Sequence, residues 1–193
     1  MKRHVKFVAV IAMAFCLASC GYNRLKKSEE TVFRAWADVE ASLHRRVDLI
    51  PMVVEIMRGH GALENDVFET LIKARANATQ AQLTAKDLSD PVAMEKFARA
   101  QADVASVLSE LMMVVERYPA LKSNRNFIEL RNQLEGTEAR ISLARQRYNT
   151  SAEAFNLAVG RLPERLTNRL LLHLKRKECF KEGPFDGKRP LSR

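Results

Sequence analysis

From Asn126 to Leu162 every seventh residue is large and apolar: Phe127, Leu134, Ile141, Tyr148, Phe155 and Leu162. The positions three further on, Leu130, Thr137, Ala144, Ser151 and Ala158, are mostly small. On an α-helix this spacing returns each side chain to nearly the same face. The residues therefore form one stripe along a helix roughly 55 Å long. Such a helix is not stable alone in water, and partner helices must cover its stripe. A chain organised around this stretch is expected to be all-α.

The preceding residues supply the partners. Val32, Trp36, Val39, Leu43, Val47, Ile50, Val54 and Met57 step by three or four, which predicts a first helix from Leu25. Pro51 interrupts the series without changing its phase. It predicts two coaxial segments, the second capped by Asp48, or one helix kinked near Pro51. Gly59-His60-Gly61 ends it. A second helix is expected over Leu63–Leu83, with Val67, Leu71, Ala74, Ala78 and Ala81 on its face. Asp90-Pro91 reads as N-cap and first turn of a third helix, Val92–Tyr118. The join through Pro119 is short, so the third and fourth helices should be antiparallel neighbours, with Asn124 or Asn126 capping the fourth. Gly136 lies inside the fourth helix, and a close crossing would explain it. The architecture expected is an antiparallel, up-down four-helix bundle.

Charge divides the chain. The net charge is +9, yet residues 20–160 hold 19 basic and 19 acidic residues, and 161–193 alone carry a net +6. A neutral body with a basic tail argues against a nucleic-acid binder. At the other end, Lys2, Arg3 and Lys6 precede an apolar run from Phe7 to Leu17. The run is too short to span a bilayer but suits a secretory signal. It closes on Leu17-Ala18-Ser19-Cys20, which resembles a bacterial lipobox. That resemblance implies cleavage before Cys20 and lipidation of its thiol. Gly21 follows; the aspartate that resembling lipoproteins use for inner-membrane retention is absent, which favours the outer membrane. The expected divisions are a signal peptide over 1–19, a bundle over 20–162 and a basic tail over 163–193.

Several blocks closely resemble the LemA family: Tyr22-Asn23-Arg24-Leu25, Ala35-Trp36, Arg45-Arg46-Val47-Asp48-Leu49-Ile50-Pro51, Gly59, Glu64 and Ala74-Arg75. They continue with Tyr118-Pro119-Ala120-Leu121-Lys122, Asn126-Phe127, Leu134-Glu135-Gly136-Thr137-Glu138, Ile141, Arg145 and Arg147-Tyr148-Asn149. The similarity covers roughly 22–163. It implies an extracytoplasmic antiparallel helical bundle held to a membrane at its N-terminus, and it carries over no catalytic residues. Many members keep an uncleaved N-terminal membrane helix where this chain has a lipobox. The basic, leucine-rich tail after Pro163 also departs from the family's usual short aromatic ending.

Chemistry-bearing motifs are sparse. There is no Glu-x-x-His for a di-iron site, no Gly-x-Ser-x-Gly and no phosphate-binding glycine loop. His60 and Glu64 are four apart but straddle a glycine loop. No cofactor, metal or catalytic residue is expected. Cys179 is the free thiol of the mature chain and is read as a tail cysteine without function; the alternative is a reactive thiol whose pKa Lys177 nearby lowers. The notable polar set is Arg45, Arg46, Asp48, Arg75, Glu135, Glu138 and Arg145. Asp48 and Glu138 lie near the apolar stripes, so an Arg75 or Arg145 guanidinium is expected to pair with one of these acids inside the bundle and fix helix register. In the tail, Leu166, Leu170 and Leu174 recur every four residues among Arg165, Arg169, Lys175, Arg176 and Lys177. That pattern fits a basic amphipathic helix on anionic lipid or an acidic partner, or a segment docked on the bundle.

The function expected is a lipid-anchored, non-enzymatic envelope scaffold or adaptor. Its partners would be the membrane and envelope proteins, with a second copy of the chain among the candidates, and no nucleic acid. The alternatives are an enzyme or ligand carrier using the internal charges, and a membrane-organising protein acting through the basic tail.

Overall fold

The computed structural model describes residues 2–62 and 65–181, with side chains from residue 21 onward within those ranges. The described chain is helical, with no strand among the described residues. In order come α1 (Lys2–Gly59), α2 (Asn65–Gln80), a 3-10 turn (Asp87–Ser89), α3 (Pro91–Val115), α4 (Pro119–Lys122), α5 (Arg125–Gly160), α6 (Glu164–Thr167) and a π turn (Asn168–Leu172). Among the described residues, no helix is long and apolar enough to cross a membrane. Cys20, the lipidation candidate, and Leu63, Glu64 and residues 182–193 lie outside the described side chains.

Local chemistry sets the helix ends. The Asp90 carboxylate accepts from Val92 N at 2.9 Å, and Pro91 fills the first turn, where its missing N–H goes unneeded. Asn124 caps α5 through Asn126 N at 2.9 Å and Phe127 N at 3.1 Å. Gly61 takes φ +63 after α1, letting Ala62 N reach Met57 O at 3.0 Å. α1 runs through Pro51 as one helix, so the two-segment alternative falls. Asp48 stands exposed in mid-helix and caps nothing.

The seven-residue stripe behaves as expected up to its last member. Phe127, Leu134, Ile141, Tyr148 and Phe155 are buried, whereas Leu162 lies beyond the end of α5 and is 78% exposed. α5 runs antiparallel to α1, as the pairs Arg46–Glu138 and Trp36–Tyr148 show. α2 and α3 pack against each other. Gly136 marks no close crossing: an added Cβ there would meet nothing within 4 Å.

Two cores result. The far core joins Leu49, Ile50, Val53 and Met57 of α1 to Leu71 and Ala74 of α2, Val104–Val115 of α3, and Phe127–Leu134 of α5. The core nearer residue 21 joins Val32, Trp36, Val39 and Leu43 to Leu88, Met94, Phe97, Ile141, Tyr148 and Phe155. α2 stops at Gln80, three residues short of the expected Leu83, and leaves this second core without a fourth helix. The C-terminal segment takes its place, contributing Phe180 to the core and Leu174 and Cys179 at its edge.

Candidate functional site

Between the two cores lies one polar layer. Arg46, its side chain only 3% exposed, reaches across from α1. Its Nη1 donates to Glu138 Oε1 at 3.1 Å on α5. Its Nη2 donates to Gln101 O at 2.9 Å and Oε1 at 2.8 Å on α3. Gln101 Nε2 in turn donates to Ala78 O at 3.4 Å near the end of α2. One connected set of donors and acceptors therefore ties all four long helices at a single level. Arg46 Nε is buried with no acceptor among the described residues. A buried guanidinium is costly unless its partners are in place, so the layer penalises any helix register that misaligns them.

Where an Arg75 or Arg145 pair inside the bundle was expected, the structure shows a pair from buried Arg46 to a Glu138 side chain that is 44% exposed. Arg46 supplies the guanidinium that reaches Glu138. Arg75 is half-buried, Arg45 is exposed like Asp48, and exposed Glu135 pairs with Arg131 at 2.9 Å. Arg145 is half-buried, with its guanidinium 4.5 Å above the Phe180 ring. Gln101 was missed because an uncharged side chain among polar helix positions stands out in no sequence pattern.

Beside the layer is a cavity of about 300 Å³. Leu43, Met94, Phe97, Ile141 and Phe180 give it apolar walls, and Arg46, Gln101 and Glu138 line its polar end. Glu95, Arg99 and Lys181, all exposed, complete its lining on the solvent side. The arrangement suits an amphipathic occupant with an apolar body and a hydrogen-bonding end. Among the described residues no group of His, Cys, Asp and Glu is placed to hold a metal ion.

One wall is the C-terminal strap, residues 174–181. Asparagines seven apart on α5 hold it. Asn156 Oδ1 accepts from Lys177 N and its Nδ2 donates to Lys177 O, both at 2.8 Å. Asn149 makes the same two-way bond to Phe180, both at 2.9 Å. Tyr148 Oη donates to Glu178 O at 2.8 Å, and Glu178 N donates to Leu88 O at 2.8 Å. Each asparagine amide substitutes for a strand neighbour, satisfying a backbone that a helix face alone would leave unpaired. Phe180 then stacks on Trp36 at 6.0 Å and meets Tyr148 edge-on at 5.5 Å. The seven-residue spacing of Asn149 and Asn156 was the available signal for this strap.

Of the alternatives for the tail, the structure takes the docked one: its helical part, α6 and the π turn, ends at Leu172, and the strap packs on the bundle. Lys177, expected on a membrane or partner, is buried. Its Nζ lies 3.7 Å from Glu29 Oε1 and 5.1 Å from the Phe33 ring centroid. Burial lowers its pKa, opposed by the Glu29 carboxylate. Arg165, Arg169, Lys175 and Arg176 are exposed. For Cys179, activation by Lys177 was the alternative to a tail cysteine without function. Instead burial raises its thiol pKa, with the Glu153 and Glu178 carboxylates adding to the shift.

Known proteins resemble the chain over the same regions. A model of the LemA family matches residues 35–190. Magnetosome protein MamQ 2 of Paramagnetospirillum magneticum is 26% identical over 196 residues, which cover 93% of this chain and 69% of the relative. Magnetosome protein MamQ of Magnetospirillum gryphiswaldense is 26% identical over 179 residues, covering 84% of this chain and 65% of the relative. The family match continues well past Pro163. The segment that looked foreign to the resemblance therefore lies inside the matched region.

Proposed function

The chain belongs to the LemA family, and from that membership we propose that it is a membrane-anchored, non-enzymatic helical scaffold or adaptor of the bacterial cell envelope. Residues 1–19 are removed as a signal peptide, and Cys20 carries the lipid. Residues 20–162 form an up-down four-helix bundle, with α1 kinked near Pro51, and residues 174–181 close the half nearer residue 21. Two or more acyl chains, each burying about 0.8 kcal/mol per CH₂, make such an anchor long-lived. Gly21 after the cysteine favours the outer membrane.

One observation carries the scaffold reading. α5 is 36 residues long and exposes Ile128, Leu143 and Leu157, at 46%, 46% and 58%. At 3.6 residues per turn these three fall within about 60° of one another around the helix axis. They form an outward apolar line on the side away from the buried stripe, of the kind a partner helix covers. The test is photo-crosslinking from positions 128, 143 and 157 in the native envelope, with Ser109 on α3 as control. A common protein partner from all three α5 positions, absent from the control, supports the scaffold. No crosslinked protein from any of them removes it. Mass spectrometry of the mature N-terminus tests the anchor separately: Cys20 should be acylated, and an intact leader would refute the lipoprotein assignment.

A second reading has the cavity behind it. A small amphipathic molecule in the space beside Arg46, Gln101 and Glu138 would make the protein a ligand carrier. Screening for ligand-dependent thermal stabilisation, lost in Glu138→Gln, decides that case; no stabilising compound leaves the cavity a packing feature.

A further inference from the structure

The turn after α5 returns to α1 at residues 21–24. Glu164 and Thr167 face inward and are buried. The Glu164 carboxylate forms an ion pair with Arg24, Oε1 to Nη1 3.0 Å. Thr167 lies so close to Gly21 that an added Cβ there would meet its Oγ1 at 2.7 Å. Asn168 closes the turn, its Oδ1 accepting from Leu174 N at 2.8 Å and its Nδ2 donating to Leu174 O at 3.0 Å. α6 and the π turn are thus fastened to the level of residues 21–24.

The outward side of this turn is leucine. Leu162, Leu166, Leu170 and Leu171 are 78%, 55%, 65% and 60% exposed. Arg161, Arg165, Arg169, Lys175 and Arg176 around them are exposed as well. Soluble surfaces scatter single leucines, whereas four within ten residues mark a contact surface. The location selects the partner. Residue 21 comes four positions after Leu17, the last residue of the apolar N-terminal run. Whether that run is retained or replaced by a lipid on Cys20, it brings the level of residue 21 to the bilayer surface. Exposed leucines ringed by basic side chains at that level match an interfacial membrane contact: acyl chains take the leucines and anionic headgroups meet the arginines.

We propose that residues 162–171 form a leucine foot that inserts into the surface of an anionic phospholipid bilayer beside the N-terminal attachment. The foot orients the helices relative to the membrane, which a flexible lipid tether does not do. This inference rests on the membrane reading above, and its test separates the two.

The full chain, carrying Cys179→Ser, is reconstituted on vesicles of mixed anionic and zwitterionic phospholipid. A polarity-sensitive fluorophore is placed at Leu170→Cys, at Leu171→Cys or, as control, at Ser109→Cys, with signal from the Cys179→Ser parent subtracted. Circular dichroism checks that each variant is folded. The foot predicts a blue shift and quenching by bromolipids at 170 and 171, neither at 109, and loss of the shift at 171 in Leu166→Gln/Leu170→Gln. A chain that stays on vesicles with all labels reporting water overturns the foot and leaves the attachment standing. A chain that stays off the vesicles overturns both. A concentration-dependent shift at 170 without vesicles, unchanged when vesicles are added, assigns the leucines to a second copy and overturns the foot.

Discussion

The two halves of the molecule reach the same end, a closed core, by different means. In the far half four helices bring aliphatic side chains, and the layer from Leu49 to Leu134 closes by helix packing alone. In the half nearer residue 21, α2 ends at Gln80, and three long helices are present among the described residues. A non-helical strap seats Phe180 among Trp36, Phe97 and Tyr148, and the asparagines of α5 satisfy its backbone. The difference teaches that a long helical stripe specifies that something must cover it, without specifying a helix as the cover.

Core truncations should separate the halves most strongly. Leu111→Ala, fully buried in the far core, should cost about 3 kcal/mol and lower the single cooperative unfolding transition. Phe180→Ala should cost a similar amount, about 3 kcal/mol, but also release the strap, seen as fast hydrogen exchange at the Glu178 and Phe180 amides. Equal exchange in the two variants would make the strap no special device.

The layer between the halves should respond to how Arg46 is replaced. Arg46→Ala strands Gln101 and leaves Glu138 unpaired. Glu138 is 44% exposed, so water offsets part of the loss, and about 2 kcal/mol is expected in denaturant unfolding. Arg46→Met fills the space without charge and should cost less than about 1 kcal/mol. A larger loss in Arg46→Met than in Arg46→Ala would contradict a register role for the layer.

Much of the fold was legible because burial on a helix leaves a period. The stripe on α5, the Asp90 and Asn124 caps and the apolar face of α1 all follow from spacing and capping chemistry. The site was half legible. Glu138 stood out as a charge near the core, but pairing is decided by three-dimensional level, and helix spacing alone did not choose Arg46 over Arg75 or Arg145. The strap was legible only as the docked alternative for the tail, because Lys177 and Phe180 belong to no helix period and their partners on α5 are neutral amides.

Tyr148 sharpens the comparison through pH. Burial raises its hydroxyl pKa above the ordinary 10.0. The folded state therefore holds the proton more tightly than the unfolded chain does. Its stabilisation is full below about pH 10 and is lost as pH rises through the folded pKa. Tyr148→Phe should lower stability by about 1.5 kcal/mol at neutral pH, leaving Glu178 O short of a donor, and should flatten this alkaline decline. Unfolding titrations from pH 8 to 11 check both effects. The smallest change is a gain: Gly136→Ala meets open space on α5 and should raise stability by ~0.8 kcal/mol in thermal unfolding.

Hydrogen exchange by mass spectrometry on Asn149→Ala/Asn156→Ala tests the division between the halves most directly. With the strap's four amide bonds gone, peptides covering residues 32–43 and 141–155 should lose protection together, while those covering 49–57 and 104–115 keep theirs. Uniform loss across both halves, or full protection in the half nearer residue 21 without the strap, would contradict it.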